Sequence, residues 1–318
     1  MTRGSALPRT VLAVVAILCV TVVAYLSHPP ASTPRTASVD PQRATLASPP
    51  PATPSSTDSV PAATATPVPA TPTPTQIPRI TGTVFIDPGH GGVDTGTIGY
   101  TSSGRQVMEK TVTLDLALRT AALLRAAGAT VVLSRTTDAL PGLQPSDLTP
   151  DGMALTPQGV LDDLQQRIDL ANASHADVLL SIHLNSFSDP SIGGTETYYD
   201  PSRRFSAQNL RLAELVQQDV IGALHGAGYT TPDRGVINDT QLQAESVGAL
   251  PATYDHLAML GPAVPGQLQP SEMPGVLSEA LFLSDPAEAA AALNPDVQNL
   301  IATGYARAIE QYLSGARP

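Results

Sequence analysis

The chain predicts an α/β fold: a single domain with a mostly parallel mixed sheet flanked by helices on both faces. Three observations predict it. From Ile80 onward, short apolar runs alternate with longer segments whose apolar residues return at three- and four-residue steps, the pattern of strands alternating with helices. The runs "TVFID" and "DVLLSIHL" are apolar with little alternation, as strands covered on both faces of a parallel sheet are. Helix punctuation stands where the periodic segments begin and end, at Gly128, Gly226, "DPAE" and "NPD", as capping chemistry requires.

Two segments precede that domain. The run "VLAVVAILCVTVVAYL", residues 11–26, follows Arg3 and Arg9 and carries no charge, which marks a secretory signal or a signal-anchor. No clean small-x-small cleavage site follows, and Cys19 lacks the small preceding residue of a lipoprotein box. Residues 1–27 are therefore expected to be an uncleaved membrane anchor, with a cleaved signal peptide as the alternative. Either way the rest of the chain acts outside the cytoplasm, anchored in the cytoplasmic membrane or, after cleavage, secreted. Residues 28–79 gather many of the chain's 31 prolines among Ala, Ser and Thr. Such a segment buries too little apolar surface to offset the entropy of ordering. It is expected to be a disordered linker, with a fully extended reach on the order of 150 Å at ~3.1 Å per residue.

Within residues 80–318 the elements follow in order. "TGTVFID" is a short buried strand. "EKTVTLDLALRTAALLRAAG" is a helix with Leu114, Leu118, Ala121 and Leu124 on its apolar stripe and Gly128 closing it. "ATVVLSR" is the next strand, and residues 136–158, rich in Pro, Gly, Asp and Thr, form a loop longer than most ordered connections. "VLDDLQQRIDLANA" is a helix facing inward through Leu161, Leu164 and Ile168, and leads into "DVLLSIHL". "GGTETYYD" alternates like an edge or antiparallel strand. A long amphipathic helix then starts from Ser206 as its cap and ends near Gly226. Residues 229–273 show no sustained period, though "DTQLQAESVGAL" allows a short helix over 239–250. Finally come the strand "GVLSEALFL" and two helices, each with Asp or Asn before a proline at the first helical position, Glu288 completing a capping box in the first.

Composition excludes some functions. Only 17 Lys and Arg stand against 28 Asp and Glu, a net charge of −11, which argues against nucleic acid as a partner because Lys/Arg clusters supply most of that affinity. The single cysteine, Cys19, lies in the N-terminal apolar run. The exported part thus has no thiol for a disulfide or a nucleophile, and any metal must use histidine and carboxylate.

The 6 histidines are sparse, yet His90 stands in "FIDPGHGG" where a buried strand breaks into a glycine-rich turn. His183 ends the strand "DVLLSIH", Glu279 lies in "GVLSEALFL", and Glu109 begins the helix after the glycine-rich loop. If these strands run parallel, the side chains meet at one sheet edge, where α/β proteins build their sites. Two histidines and a carboxylate form a Zn²⁺ ligand set that leaves a fourth position for water. A further carboxylate beside that water can take its proton. Each residue alone has a plainer reading: His90 as a turn residue, His183 as a satisfied core histidine, Glu109 as a first-turn acid favourable to the helix dipole. Glu279 is hardest to read plainly, because a lone carboxylate among apolar neighbours is costly to bury unless paired or bound to metal.

Taken together, "VFIDPGHGGVDTGTIG", "EKTVTLDLALRTAALLRAAGATVVLSRTTD", "QRIDLANASHADVLLSIHLNSF", "GGTETYY" and "GVLSEALFLSDPAEAAAL" resemble, in order and spacing, the zinc-dependent N-acetylmuramoyl-L-alanine amidases of bacterial cell walls. The likeness covers nearly all of residues 80–315. It implies that His90, Glu109 and His183 bind Zn²⁺ and that Glu279 is the general base, returning the proton to the leaving amine. The implied substrate is peptidoglycan, cut at the amide between N-acetylmuramic acid and L-alanine, with zinc polarising the carbonyl and acidifying water. Asn185 and the "GGTETYY" strand are expected to shape the site without doing chemistry.

The sequence also departs from the family. Asp285 stands where asparagine is usual, the 139–158 loop is longer than usual, and residues 229–273 match poorly, so these two regions are where elements covering the cleft are expected. Two other functions compete: a catalytically silent wall-binding or regulatory module, and a zinc peptidase cutting within the stem peptide. Neither the wall chemistry, the oligomeric state nor a protein activator is legible in the sequence.

Overall fold

The structure is a computed structural model and describes residues 80–241 and 248–315, all within one compact unit. The chain runs β1 (Thr83–Pro88), β2 (Ile98–Tyr100), β3 (Gln106–Met108), α1 (Glu109–Ala127), β4 (Thr130–Leu133), α2 (Pro157–Ala173), β5 (Val178–Asn185), β6 (Thr195–Tyr199), α3 (Ser206–Gly226), β7 (Asp233–Asn238), β8 (Gly275–Phe282), α4 (Pro286–Ala292) and α5 (Pro295–Leu313). Six strands form one sheet in the order β4-β1-β5-β8-β6-β7, and β2 pairs with β3 in a separate hairpin. The first four strands are mutually parallel. β6 joins antiparallel to β8, and β7 lies parallel to β6.

The apolar character of β1 and β5 follows from cover on both faces. Val84, Ile86, Leu180 and Ile182 pack with α1, α3 and α5 on one face. Phe85 and Leu179 meet Leu161 and Ile168 of α2, with Met259, Leu260 and Leu268 beyond them, on the other. Each of these fully buried aliphatic or aromatic side chains contributes about 2 kcal/mol of transfer free energy.

Several sequence expectations change. The buried face of α1 is Val112, Leu116, Ala117, Ala121 and Leu124, while Leu118 is exposed; with apolar residues all around, the periodicity admits two stripes and packing chooses between them. α2 begins earlier than expected, with Thr156 capping Gly159 N and Pro157 at the first position. α3 has Phe205 as its cap residue, and Ser206 is already helical. Asp285 does cap α4, accepting from Ala287 N and Glu288 N. The expected capping box is absent, however, because Glu288 turns away to accept from Phe282 N, Gly194 N and Thr231 Oγ1. Three buried donors outweigh one cap donor, and the carboxylate ties β8 to the approaches of β6 and β7.

"GGTETYY" is the antiparallel strand expected, although β7 covers its outer edge. Residues 136–158 hold a 3-10 turn at Pro145–Asp147 and a bridge between Leu148 and Leu155. In the aperiodic stretch, β7 was hidden by Gly235 at φ 82°; of the helix expected over 239–250, Asp239–Gln241 form a 3-10 turn and residues 242–247 lie outside the described residues. The anchor and linker expected over residues 1–79 also lie outside them. Among the described residues, no helix is long and apolar enough to cross a membrane.

Candidate metal centre and active site

β1 ends at Pro88, and the backbone then turns sharply through Gly89, His90, Gly91 and Gly92. His90 adopts φ 62°, a left-handed conformation that costs a residue with a Cβ on the order of 1 kcal/mol. Two buried arginines hold the turn. Arg167 of α2 donates from Nη1 to Asp87 Oδ1 (2.7 Å) and Pro88 O (3.0 Å), from Nη2 to His90 O (2.8 Å), and from Nε to Asp163 (2.8 Å). Arg135, just past β4, donates to Pro88 O, Gly89 O and Lys110 O at 2.9, 2.9 and 2.7 Å. Asp87, which also accepts from Ser134 and Ser181, has its pKa lowered to about 2: burial alone would raise it, but the Arg167 charge and these bonds outweigh burial.

The other residues reach the same place by separate routes. β3 runs directly into α1, so the hairpin sets Glu109 at the helix start. Its carboxylate is fixed from both sides, Oε2 accepting from Thr97 N (2.8 Å) and Oε1 from Leu184 N (2.9 Å). His183 lies near the C-terminal end of β5. Glu109 Oε1 is 3.1 Å from His90 Nε2 and 3.0 Å from His183 Nδ1, and the three potential ligand atoms lie within 4.8 Å of one another. The second nitrogen of His90 is 2.7 Å from Asp94 Oδ2, the carboxylate-to-histidine support that orients metal ligands. Burial works against charge on both His90 and Glu109, yet the Glu109 and Asp94 carboxylates raise the His90 pKa well above the usual range, and His90 and His183 pull that of Glu109 far down.

Glycines make the approach possible. A methyl on Gly89 would lie 2.2 Å from the His183 ring, and one on Gly96 would lie 2.5 Å from Glu109 Oε2 and 2.6 Å from the His90 ring.

Glu279 opens onto the same cavity, of about 130 Å³, lined also by His90, Glu109, His183, Asn185 and Leu257. The pairing places His183 opposite Glu279 across β5 and β8, and Glu279 opposite Glu196 across β8 and β6. Glu279 Oε2 is buried without a hydrogen bond. Desolvation first, then the charges of Glu109 and Glu196, push its pKa well above the carboxylate range. Glu196 is held instead by Asn185 Nδ2 (2.6 Å), Tyr198 OH (2.5 Å) and Arg234 Nε (2.6 Å). The donor set fits a divalent cation: two imidazole nitrogens and a carboxylate oxygen converge, with a free buried carboxylate oxygen on the same cavity.

All four residues expected from the sequence, His90, Glu109, His183 and Glu279, thus come together. Asn185 and Glu196, the latter from the "GGTETYY" strand expected to shape the site, do adjoin Glu279, whereas Asp94, Arg135 and Arg167 were missed. Asp94 four residues after His90 was a usable signal; the arginines carried none, because a guanidinium on a helix or strand end is ordinarily a surface residue. Of the two regions expected to cover the cleft, 139–158 contributes Leu155 to an adjoining cavity against His90 and His183, and 229–273 contributes Leu257 to the main one.

The model of the N-acetylmuramoyl-L-alanine amidase family matches residues 84–311. The germination-specific N-acetylmuramoyl-L-alanine amidase of Bacillus subtilis (strain 168) is 28% identical over 241 residues, 76% of this chain and 84% of that protein. N-acetylmuramoyl-L-alanine amidase LytC of the same organism is 37% identical over 159 residues, half of this chain (50%) and 26% of the longer relative. Among solved structures, an N-acetylmuramoyl-L-alanine amidase from Clostridium difficile 630 superposes with a TM-score of 0.51 at 28% identity, covering 74% of this chain and 97% of that one.

Proposed function

The chain belongs to the N-acetylmuramoyl-L-alanine amidase family, and from that premise we propose how its residues cut the amide between N-acetylmuramic acid and L-alanine of peptidoglycan. His90, Glu109 and His183 would hold Zn²⁺ through the ligand atoms they bring together. When bound, the ion supplies Lewis acidity, polarising the lactyl carbonyl and making water more acidic.

The rest is the work of this chain's own side chains. Glu279 takes a proton from the water as its oxygen adds to the lactyl carbonyl carbon. The C–N bond then breaks, Glu279 returns that proton to the departing amine of L-alanine, and the oxygen stays on the lactyl acid, whose remaining proton passes to the freed amine to leave a carboxylate and an ammonium. A carboxylate crowded by Glu109 and Glu196 binds protons more tightly than an exposed one, which suits a base that must also act as an acid. Asn185 and Arg234 fix Glu196 so that it crowds Glu279 without taking up its position. Asp94 fixes the His90 ring, and the two buried arginines fix its backbone. Leu257 and Leu277 make the cavity wall apolar, which strengthens electrostatic interactions inside it.

Action is extracytoplasmic, on the wall. The charge-free N-terminal run keeps the enzyme at the cytoplasmic membrane, and the proline-rich residues let the catalytic domain reach outward.

The observation that carries this reading is the convergence of four residues, far apart in sequence, on one cavity. The test is digestion of purified sacculi by wild type and Glu279→Gln. Wild type is expected to release stem peptides bearing a free L-alanine amine, and the variant to keep its zinc while activity falls by at least about a hundredfold. Cleavage confined to bonds within the stem peptide, or binding without release by zinc-loaded wild type, would overturn it.

A further inference from the structure

A second group of potential ligands lies apart from the first. Asp200 follows β6, Asp239 follows β7, and His256 lies in the connection towards β8. Because β6 and β7 run opposite to β8, these two strand ends lie at the other edge of the sheet from the His183 end of β5. One atom from each residue lies within 4.8 Å of the others. Asp200 and Asp239 are fully buried.

Each carboxylate is half used. Asp200 Oδ1 accepts from Ser202 N (2.5 Å) and Ser202 Oγ (2.6 Å), and Asp239 Oδ2 accepts from Leu257 N (3.1 Å). Their other oxygens face His256 Nδ1, at 3.0 Å for Asp200 Oδ2 and 3.5 Å for Asp239 Oδ1. All three atoms are buried and make no hydrogen bond of proper geometry. On the far side of the ring, His256 Nε2 is 3.4 Å from Asp255 Oδ1, a placement like that of Asp94 behind His90. A methyl on Gly261 would lie 2.6 Å from His256 Cβ and 2.3 Å from Tyr254 OH, so the ring is hemmed in. The charge of Arg203 reaches Asp200, but its hydrogen bonds go to Leu260 O, Gly261 O and Ser271 O.

We propose that Asp200, Asp239 and His256 form a second divalent transition-metal site, distinct from the catalytic centre. Three convergent buried atoms without hydrogen bonds, two of them on carboxylates side by side, are costly unless a cation lies between them. An imidazole nitrogen with two carboxylate oxygens suits Zn²⁺ or Mn²⁺; Ca²⁺, which takes six to eight oxygens, is not the match. The ion joins the ends of β6 and β7 to the segment whose Leu257 forms part of the catalytic cavity wall. Its role is structural, and the site uses none of the catalytic ligands, so it stands whether or not the chain cleaves peptidoglycan.

The full chain is tested in a His90→Ala/His183→Ala background, which removes the first centre. Equilibrium dialysis against micromolar Zn²⁺, read by elemental mass spectrometry, is expected to leave about one zinc per chain in that background and about two in wild type. Adding Asp239→Asn and His256→Gln is expected to reduce the background value below about a tenth. His256→Gln alone, close in volume, serves if the fourfold variant fails to fold, and circular dichroism of the zinc-free proteins reports folding. About one zinc in wild type and none in the background would overturn the proposal. So would zinc that persists after the two added substitutions.

Discussion

Gly89→Ala isolates the steric requirement of the metal centre from everything else. Gly89 lies outside the left-handed region, so alanine brings no backbone strain, but its Cβ would fall 2.2, 2.4 and 2.7 Å from Cε1, Nε2 and Nδ1 of His183. Carbon atoms rest at about 3.5 to 4.0 Å, so a gap of more than about 1 Å must open. The loop cannot yield easily. Gly89 N donates to Ile182 O (3.0 Å), and Gly89 O accepts from Thr113 Oγ1 (2.9 Å) and Arg135 Nη2 (2.9 Å). The imidazole must therefore move, whereas zinc ligands tolerate about 0.2 Å. Zinc affinity is expected to fall by at least about 100-fold, more than loss of a supporting hydrogen bond costs, while overpacking lowers stability by about 1 to 3 kcal/mol. Competition with a chromophoric chelator measures the first, and urea unfolding of the zinc-free chain measures the second. Because a second cation site would mask the loss, the measurement is made in the His256→Gln background. Wild-type zinc affinity in folded Gly89→Ala would refute the assignment of His183 as a ligand.

Other consequences follow from the supports of the site. Asp94→Asn removes the carboxylate behind His90 and is expected to weaken zinc binding about 10- to 100-fold, again by chelator competition. Arg167→Met leaves Asp87 and Asp163 without their buried partner and is expected to cost about 3 to 5 kcal/mol in urea unfolding; a loss under about 1 kcal/mol would mean that the clamp does little. Asp87 gives a pH signature. Its folded pKa is depressed from 3.8 to about 2, so its contribution is present above the unfolded value and disappears as pH falls through the folded one. Wild type is expected to lose about 2 kcal/mol more than Asp87→Asn between pH 5 and pH 2, and equal acid losses would contradict the pairing.

The parallel half of the sheet was legible because strands covered on both faces announce themselves: "TVFID" and "DVLLSIHL" have no solvent side to encode. Of the four central site residues, Glu279 was legible for a related reason, since a carboxylate inside a buried apolar run is expensive unless paired or bound to metal. His90, Glu109 and His183 each had a plainer reading alone, and only their order among motifs resembling one family singled them out. β2, β3 and β7 were not legible, being short or interrupted, as by Gly235, and held by partners distant in sequence. Arg167 looked like a surface residue of an amphipathic helix and is 1% exposed; only the fold brings Asp87 and the His90 turn to it. Glu288 read as a cap residue for a similar reason, since the donors that claim it come from residues 194, 231 and 282.

The antiparallel placement of β6 has a chemical consequence. It sets Glu196 beside Glu279, where a bare carboxylate would make the base hold its proton too tightly to release it near neutral pH. Arg234 answers that charge at 2.6 Å while its guanidinium carbon lies 4.9 Å from the centre of the Phe282 ring. Replacing it by glutamine keeps a donor and removes the charge. The field at Glu279 then becomes more negative and its proton affinity rises, so the base is active only at higher pH. The acidic limb of kcat/KM for Arg234→Gln should move up, by about 0.5 to 1 unit for a partly exposed guanidinium, each unit being about 1.4 kcal/mol. Zinc content and the unfolding midpoint, measured beside it, show whether the site is still assembled. With zinc retained, a limb that stays in place or moves to lower pH would show that Glu196 does not tune the base, and the row of carboxylates across β8 and β6 would need another explanation.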